Sequence, residues 1–365
     1  MSMRAAAPDR KLHLDTLRGI ACVLLVAYHV IGNDIEHGLQ VGDGSPWRLF
    51  TELFMHVRMP LFSFLSGYVF SLAVPDLAAL NFAIGKKFRR IGIPFVVVSS
   101  LFYLLFGLTG GGFATPMWQI YLLPYEHYWY LQATLLIMVS LLVGNFVIGD
   151  HARAFATVLF PVACAVFIAA WTFDPYDIFA LGSALYLLPY FLLGQLLRLW
   201  GVESHVGDVE TRRRRVLLPL GLLLAALFVL DLMQLEGLAT LDFARQSALG
   251  LLFGVTACLF LFFLRLRSRV LAAIGVYSYS IYLFHVFFTA ALRKLGHVVW
   301  PDMPRGLFFT AALIAGISLP ILLHKVVIRH RVAALLLLGI DKRPRRAPLP
   351  GRPVAATLPA KAATP

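Results

Sequence analysis

Apolar stretches of similar length recur ten times along this chain, at roughly 13–31, 49–73, 91–108, 130–148, 155–173, 178–199, 216–233, 243–264, 271–292 and 306–328. Each is close to the ~20 residues that a helix needs to cross a bilayer core. The polar connections are short, and none is long enough to fold alone. The pattern predicts an all-α, polytopic membrane helix bundle of about ten transmembrane helices. It divides the chain into a tail over 1–12, a membrane domain over 13–340 and a tail over 341–365. That last tail is rich in Pro, Ala and Arg and predicts disorder. The Gly-rich stretch 107–118 predicts a flexible outer loop, and 200–215 a short inner one. No repeat of fixed period is visible, and the halves 1–173 and 178–340 show no shared pattern.

Composition agrees. The chain is 59% hydrophobic and 14% charged, against about 45–50% and 25% in soluble domains. Cys22, Cys164 and Cys258 all lie inside apolar runs, without the Cys-x-x-Cys or Cys/His clustering of a disulfide framework or zinc site. The first segment carries Asp15 and Arg18 and no small-x-small site after it, which argues against a cleaved signal peptide.

The net charge of +13 is unevenly placed. One set of connections holds Arg4, Arg10 and Lys11; Lys86, Lys87, Arg89 and Arg90; Arg153; Arg212–Arg215; Arg265, Arg267 and Arg269; and the tail. The alternate set holds Asp34, Glu36 and Asp43; Glu126; Asp174 and Asp177; Asp231, Glu236 and Asp242; and Asp302. The positive-inside rule then puts both termini in the cytoplasm, which an even number of spans permits. The basic excess is topogenic, and no nucleic-acid partner is implied.

Ionisable side chains inside the apolar segments are the candidate chemistry, because burying them in a membrane is costly. Arg18 and His29 are eleven positions apart. Eleven steps of about 100° return to within about 20° of the start, so the two share a helix face, roughly 16 Å apart. Asp15 joins that stripe. Alone, the stripe reads equally as a snorkelling Arg and a satisfied His.

Four other runs stand out. Lys86-Lys87-Phe88-Arg89-Arg90 opens the third segment, with Lys87 and Arg90 on one face. It reads as a topological anchor or as a grip on the phosphates of a cytosolic ligand. The run His56 to Tyr68 holds Arg58, Pro60 and the small pair Ser66-Gly67, which suit a kinked, closely packed helix. Glu126 to Gln132 carries Trp129 and Tyr130 and reads as an interfacial aromatic belt or a site wall. Tyr277 to His285 puts Ser280, Tyr282 and a deep His midway along the ninth segment, as a polar packing network or a site wall.

Taken together and in order, these runs resemble the acyltransferase 3 family of bacterial integral-membrane O-acyltransferases. The resemblance covers roughly 13–330. It rests on Leu14-Asp15-Thr16-Leu17-Arg18-Gly19, on Arg18 with ten residues before His29, on Met59-Pro60-Leu61-Phe62 through Gly67, on the basic run, on Trp129 and on Tyr277 through His285. It implies an acyltransferase with Arg18 and His29 catalytic. No secreted esterase-like domain follows the last segment, as in stand-alone members that modify glycans. Lys87 stands where the family has Arg. It keeps the charge but not the two-pronged geometry.

The resemblance implies acyl-CoA as co-substrate, acetyl-CoA first and succinyl-CoA as the alternative. It implies no tightly bound cofactor and no metal. Arg18, Lys87 and Arg90 would hold the donor. Trp129, Tyr130, Tyr282 and His285 would line the acceptor site. His29 would act as general base, or carry the acyl group covalently. The acceptor would be a glycan or glycolipid hydroxyl, and the location the bacterial cytoplasmic membrane. A glycan or lipid transporter is the rival, since it too would bury charges.

Overall fold

The structure is a computed structural model, and it describes residues 8–32, 38–70, 76–113, 115–169, 177–202 and 210–341. Asp34, Glu36, Asp174, Arg4 and the tail from 342 lie outside the described residues, as do the side chains of Arg10 and Lys11. Among the described residues every regular element is helical.

The first seven α-helices are α1 (Pro8–Ile31), α2 (Pro46–Leu53), α3 (Met55–Val69), α4 (Leu77–Lys87), α5 (Ile93–Phe106), α6 (Gln119–Leu122) and α7 (Trp129–Ile148). The rest are α8 (Ala152–Ile168), α9 (Leu181–Leu199), α10 (Glu210–Leu235), α11 (Ala248–Leu264), α12 (Arg269–Val276), α13 (Ser278–Val299), α14 (Arg305–Val327) and α15 (Arg331–Leu338). Every one of the ten apolar segments overlaps a helix.

Six helical stretches are long and apolar enough to cross a membrane, and α11 with α12 makes a seventh if that pair, bent by 120°, is one span. The chain is a multi-pass membrane protein. Three boundaries differ from the sequence reading. Helix α1 starts at Pro8, inside the expected tail; a Pro is well tolerated in a first turn. The second segment is two helices, parted at Phe54. The ninth breaks at Tyr277, so His285 lies two turns into α13 rather than midway along one span. Nor is 107–118 a plain loop, because α5 continues through a π-helical turn to Gly111.

Small residues set the closest packing. Helices α3 and α9 cross at Gly67 and Gly194, where a methyl on either would overlap the facing backbone at Phe191 or Phe64. Helices α1 and α12 cross in the same way at Gly19 and Gly275, against the backbone of Leu271 and Asp15. In lipid, without a hydrophobic drive between helices, such close contact is what gives association its dispersion energy. The expectation for Gly67 holds. Helix α1 is also flanked by α3, α13 and α14, so its ionisable stripe faces protein.

Candidate functional site

The C-terminal ends of α1, α5 and α13 meet the N-terminal ends of α3, α7 and α9. They enclose a cavity of about 760 Å³, within the usual range for small-molecule sites. His29, in the last turn of α1, lies on its wall. Arg48 anchors that end of the helix: its Nη1 donates to the Gly32 carbonyl at 2.7 Å, and Asp43 and Glu52 lie 3.5 and 3.7 Å from its guanidinium. A cation there also suits the helix dipole.

Two more imidazoles close on His29. The His285 ring centroid is 4.8 Å away and that of His127 is 5.6 Å away, with 5.0 Å between those two. His285 is fully buried. Its Nδ1 lies 2.8 and 3.0 Å from the carbonyls of Ile281 and Tyr282. Carbonyls only accept, so Nδ1 bears the hydrogen and Nε2 keeps its lone pair. That Nε2 is sealed from solvent without a hydrogen bond, as is Nε2 of His127. Buried polar nitrogens without partners are uncommon and ask for a reason. Among the described residues, no group of His, Cys, Asp or Glu has the arrangement to hold a metal ion.

The start of α7 is stitched to α13. The Tyr282 hydroxyl donates to the His127 carbonyl, and the Tyr128 hydroxyl donates to the Leu283 carbonyl at 3.3 Å. The aromatic run 126–132 is therefore not a lipid-facing belt, since His127, Tyr128 and Tyr130 are buried. Trp129 and Tyr282 line the cavity. Tyr130 packs behind Tyr282 with ring centroids 5.4 Å apart. Ser280 faces away, with Oγ 2.7 Å from His324 Nδ1 in α14.

The expected donor residues lie elsewhere, and none lines this cavity. Arg18 pairs with Asp15 at 2.7 Å. Lys87 sits 5.1 Å from the centre of the Phe70 ring. Arg90 and Arg89 lie in a π-helical turn, Phe88–Gly92, against the C-terminal segment. Arg90 donates to the Leu338 carbonyl, its guanidinium lies 4.5 Å over the Tyr279 ring, and the Tyr279 hydroxyl donates to the Arg90 carbonyl at 2.7 Å. Arg89 pairs with Asp341 at 3.6 Å. Such turns recur at functional sites.

Several cavity residues escaped the sequence reading, Arg293 and Lys294 of α13 among them. His127 was absorbed into the aromatic run. Tyr186 carried no signal in an apolar helix. Arg245 did carry one: it is a cation in an otherwise acidic connection, against the charge pattern of the chain. Its guanidinium sits between two rings, 4.9 Å from Trp129 and 4.2 Å from Tyr186. Arg58, singled out from the sequence, also lines the cavity, 3.8 Å over the Tyr28 ring.

A polytopic helical bundle with a cavity at one end, His29 and His127 on its wall, defines the class, a multi-pass membrane protein with an internal site. The particular family follows from comparison. The model of the acyltransferase 3 family, described as an acyltransferase domain, matches residues 12–325, and the chain belongs to that family. Neither the curated proteins nor the solved structures gave a match. The chain is thus a membrane acyltransferase.

Proposed function

We propose that this acyltransferase moves an acyl group, acetyl first, from cytosolic acyl-CoA to a hydroxyl of a cell-envelope glycan or glycolipid. The observation that carries this reading is His29, on the wall of a cavity large enough for a sugar and in ring contact with two further histidines. A neutral imidazole there takes the proton of the acceptor hydroxyl. The oxygen attacks the thioester carbonyl, the carbon–sulfur bond breaks, and the departing CoA thiolate takes up the proton from His29. Trp129 and Tyr282 contact the sugar, Tyr130 supports Tyr282, and His285 packs against the ring of His29.

The charge pattern supports ten spans, both termini in the cytoplasm, and residence in a bacterial cytoplasmic membrane. In that orientation the cavity opens outward, and Lys87 and Arg90 face the donor. Arg18 lies between the two ends. One of the five N–H donors of Arg90 is given to the Leu338 carbonyl, so donor phosphates meet a guanidinium already tied to the C-terminal segment. The experiment is transfer of label from acetyl-CoA to envelope glycan in membranes with and without the protein. Label in a glycan hydroxyl ester, dependent on the protein, is the expected result. Its absence across acetyl- and succinyl-CoA would overturn the reading.

A further inference from the structure

We propose that the acceptor is anionic, carrying a carboxylate or a phosphate near the hydroxyl that is acylated. This rests on the acyl-transfer reading and names its acceptor class. Four cations line the cavity, Arg58, Arg245, Arg293 and Lys294, against one carboxylate, Glu126. In the proposed orientation all four stand on the outer side, where the positive-inside rule disfavours them. Topology does not explain their placement.

Arg58 is the most telling. It is buried, at 8% exposure. One hydrogen bond reaches protein, from Nη1 to the Thr51 carbonyl at 2.8 Å, and the Tyr28 ring covers one face. Among the described residues no carboxylate is within ion-pair distance of it; Glu52, six residues before it, pairs with Arg48 at 3.7 Å and reaches Arg58 only through its field. A ring face and one carbonyl offset only part of the cost of desolvating a guanidinium. The unmet remainder faces the cavity. Arg245, held between Trp129 and Tyr186, adds a second guanidinium whose forked donors suit a carboxylate or phosphate. Arg293 and Lys294 stand on successive positions of α13, and Lys294 also donates to the Thr109 carbonyl at 2.6 Å. They widen the field that draws an anion in.

CoA phosphates share this chemistry. The acceptor is favoured because the cavity lies at the end of the bundle away from Lys87 and Arg90. The test uses the full-length protein in nanodiscs. Probes are an oligogalacturonate, a neutral malto-oligosaccharide of equal length, glucose 1-phosphate and acetyl-CoA, each titrated calorimetrically at two salt concentrations.

The expected result is that an anionic probe binds about tenfold or more tightly than the neutral one, and that salt weakens it. Arg58→Gln and Arg245→Gln should each lose about that factor. Arg293→Gln with Lys294→Gln, at less buried positions, should weaken the anionic probe several-fold and leave acetyl-CoA binding unchanged. If the rim double variant instead weakens acetyl-CoA alone, the cavity takes donor phosphates and the proposal falls. Equal binding of charged and neutral probes also overturns it. Charge-selective binding without any acyl transfer would remove the enzymatic reading and leave the anion site standing. Transfer to envelope glycan without charge preference would do the reverse.

Discussion

The imidazole of His29 in α1 and that of His285 in α13 are held with their ring centroids 4.8 Å apart. The backbone carbonyls of Ile281 and Tyr282 fix the hydrogen of His285 on Nδ1 and leave its other nitrogen as an acceptor. That acceptor is buried beside the His29 ring and makes no hydrogen bond in this structure, so His285 meets His29 through ring contact. His29 lines the cavity and His285 does not. The two have different expected roles.

Replacing His29 with Ala should abolish transfer while protein abundance in the membrane is unchanged, because the helix only becomes more apolar. Loss of a general base costs about 10²–10⁴-fold. Gln keeps hydrogen bonding but takes no proton, and should be nearly as inactive. The measurement is labelled acetyl transfer normalised to membrane protein. Wild-type turnover in His29→Ala would remove the catalytic assignment.

His285→Ala should be milder, about tenfold in kcat, if this residue positions His29. His285→Asn, which restores an acceptor, should recover part of the loss. A positioning role also predicts that the KM for acetyl-CoA barely moves. If activity disappears in His285→Ala and survives in His29→Ala, the base is on α13.

At the opposite end, removing the cations of Lys87 and Arg90 should raise the KM for acyl-CoA more than it lowers kcat, since phosphate is gripped equally before and during reaction. Lys87→Arg should be neutral or helpful, because a guanidinium holds phosphate with two hydrogen bonds. Arg90→Ala also frees the Leu338 carbonyl, so limited proteolysis near 338–341 should speed up. Unchanged donor kinetics in the double alanine variant would leave both residues as topological anchors.

The glycine crossings predict a stability difference. Gly67→Ala or Gly194→Ala should lower the melting temperature of the purified protein, because the new methyl meets backbone that cannot yield. Overpacking of this kind costs about 1–3 kcal/mol. Gly85→Ala, where nothing lies within 4 Å, should be neutral or slightly stabilising. Equal melting temperatures for all three would mean that the α3–α9 crossing is looser than described.

Orientation is checked with single cysteines at Val202 and Met117, in a protein whose native cysteines are replaced. An impermeant thiol reagent on intact cells should label position 117 and spare 202. The reverse pattern would invert the bundle and put the cavity on the cytoplasmic side.

Much of the fold was legible because a bilayer imposes a length and a period on any helix that crosses it. The ten apolar runs, the shared face of Arg18 and His29, and the packing role of Gly67 all follow from one helix at a time. The breaks were not legible. Phe54 and Tyr277 sit inside apolar runs, and hydropathy does not register a helix that bends while remaining apolar. The aromatic run at 126–132 was ambiguous for a related reason: composition does not say whether a ring meets lipid or protein.

By itself, then, the sequence determined that this is a helical membrane protein, which segments are apolar, how the loop charges alternate, and that Arg18 and His29 lie eleven positions apart in the first segment. Only the tertiary structure decided that His127 and His285 join His29, that Arg58 and Arg245 line the cavity with them, and that Arg90 is engaged by the end of α15. The reason is physical. Hydropathy and helical period are properties of a segment and its solvent, whereas the meeting of three imidazoles depends on how α1, α7 and α13 cross. That crossing is fixed by contacts between residues as far apart in the chain as Tyr282 and His127.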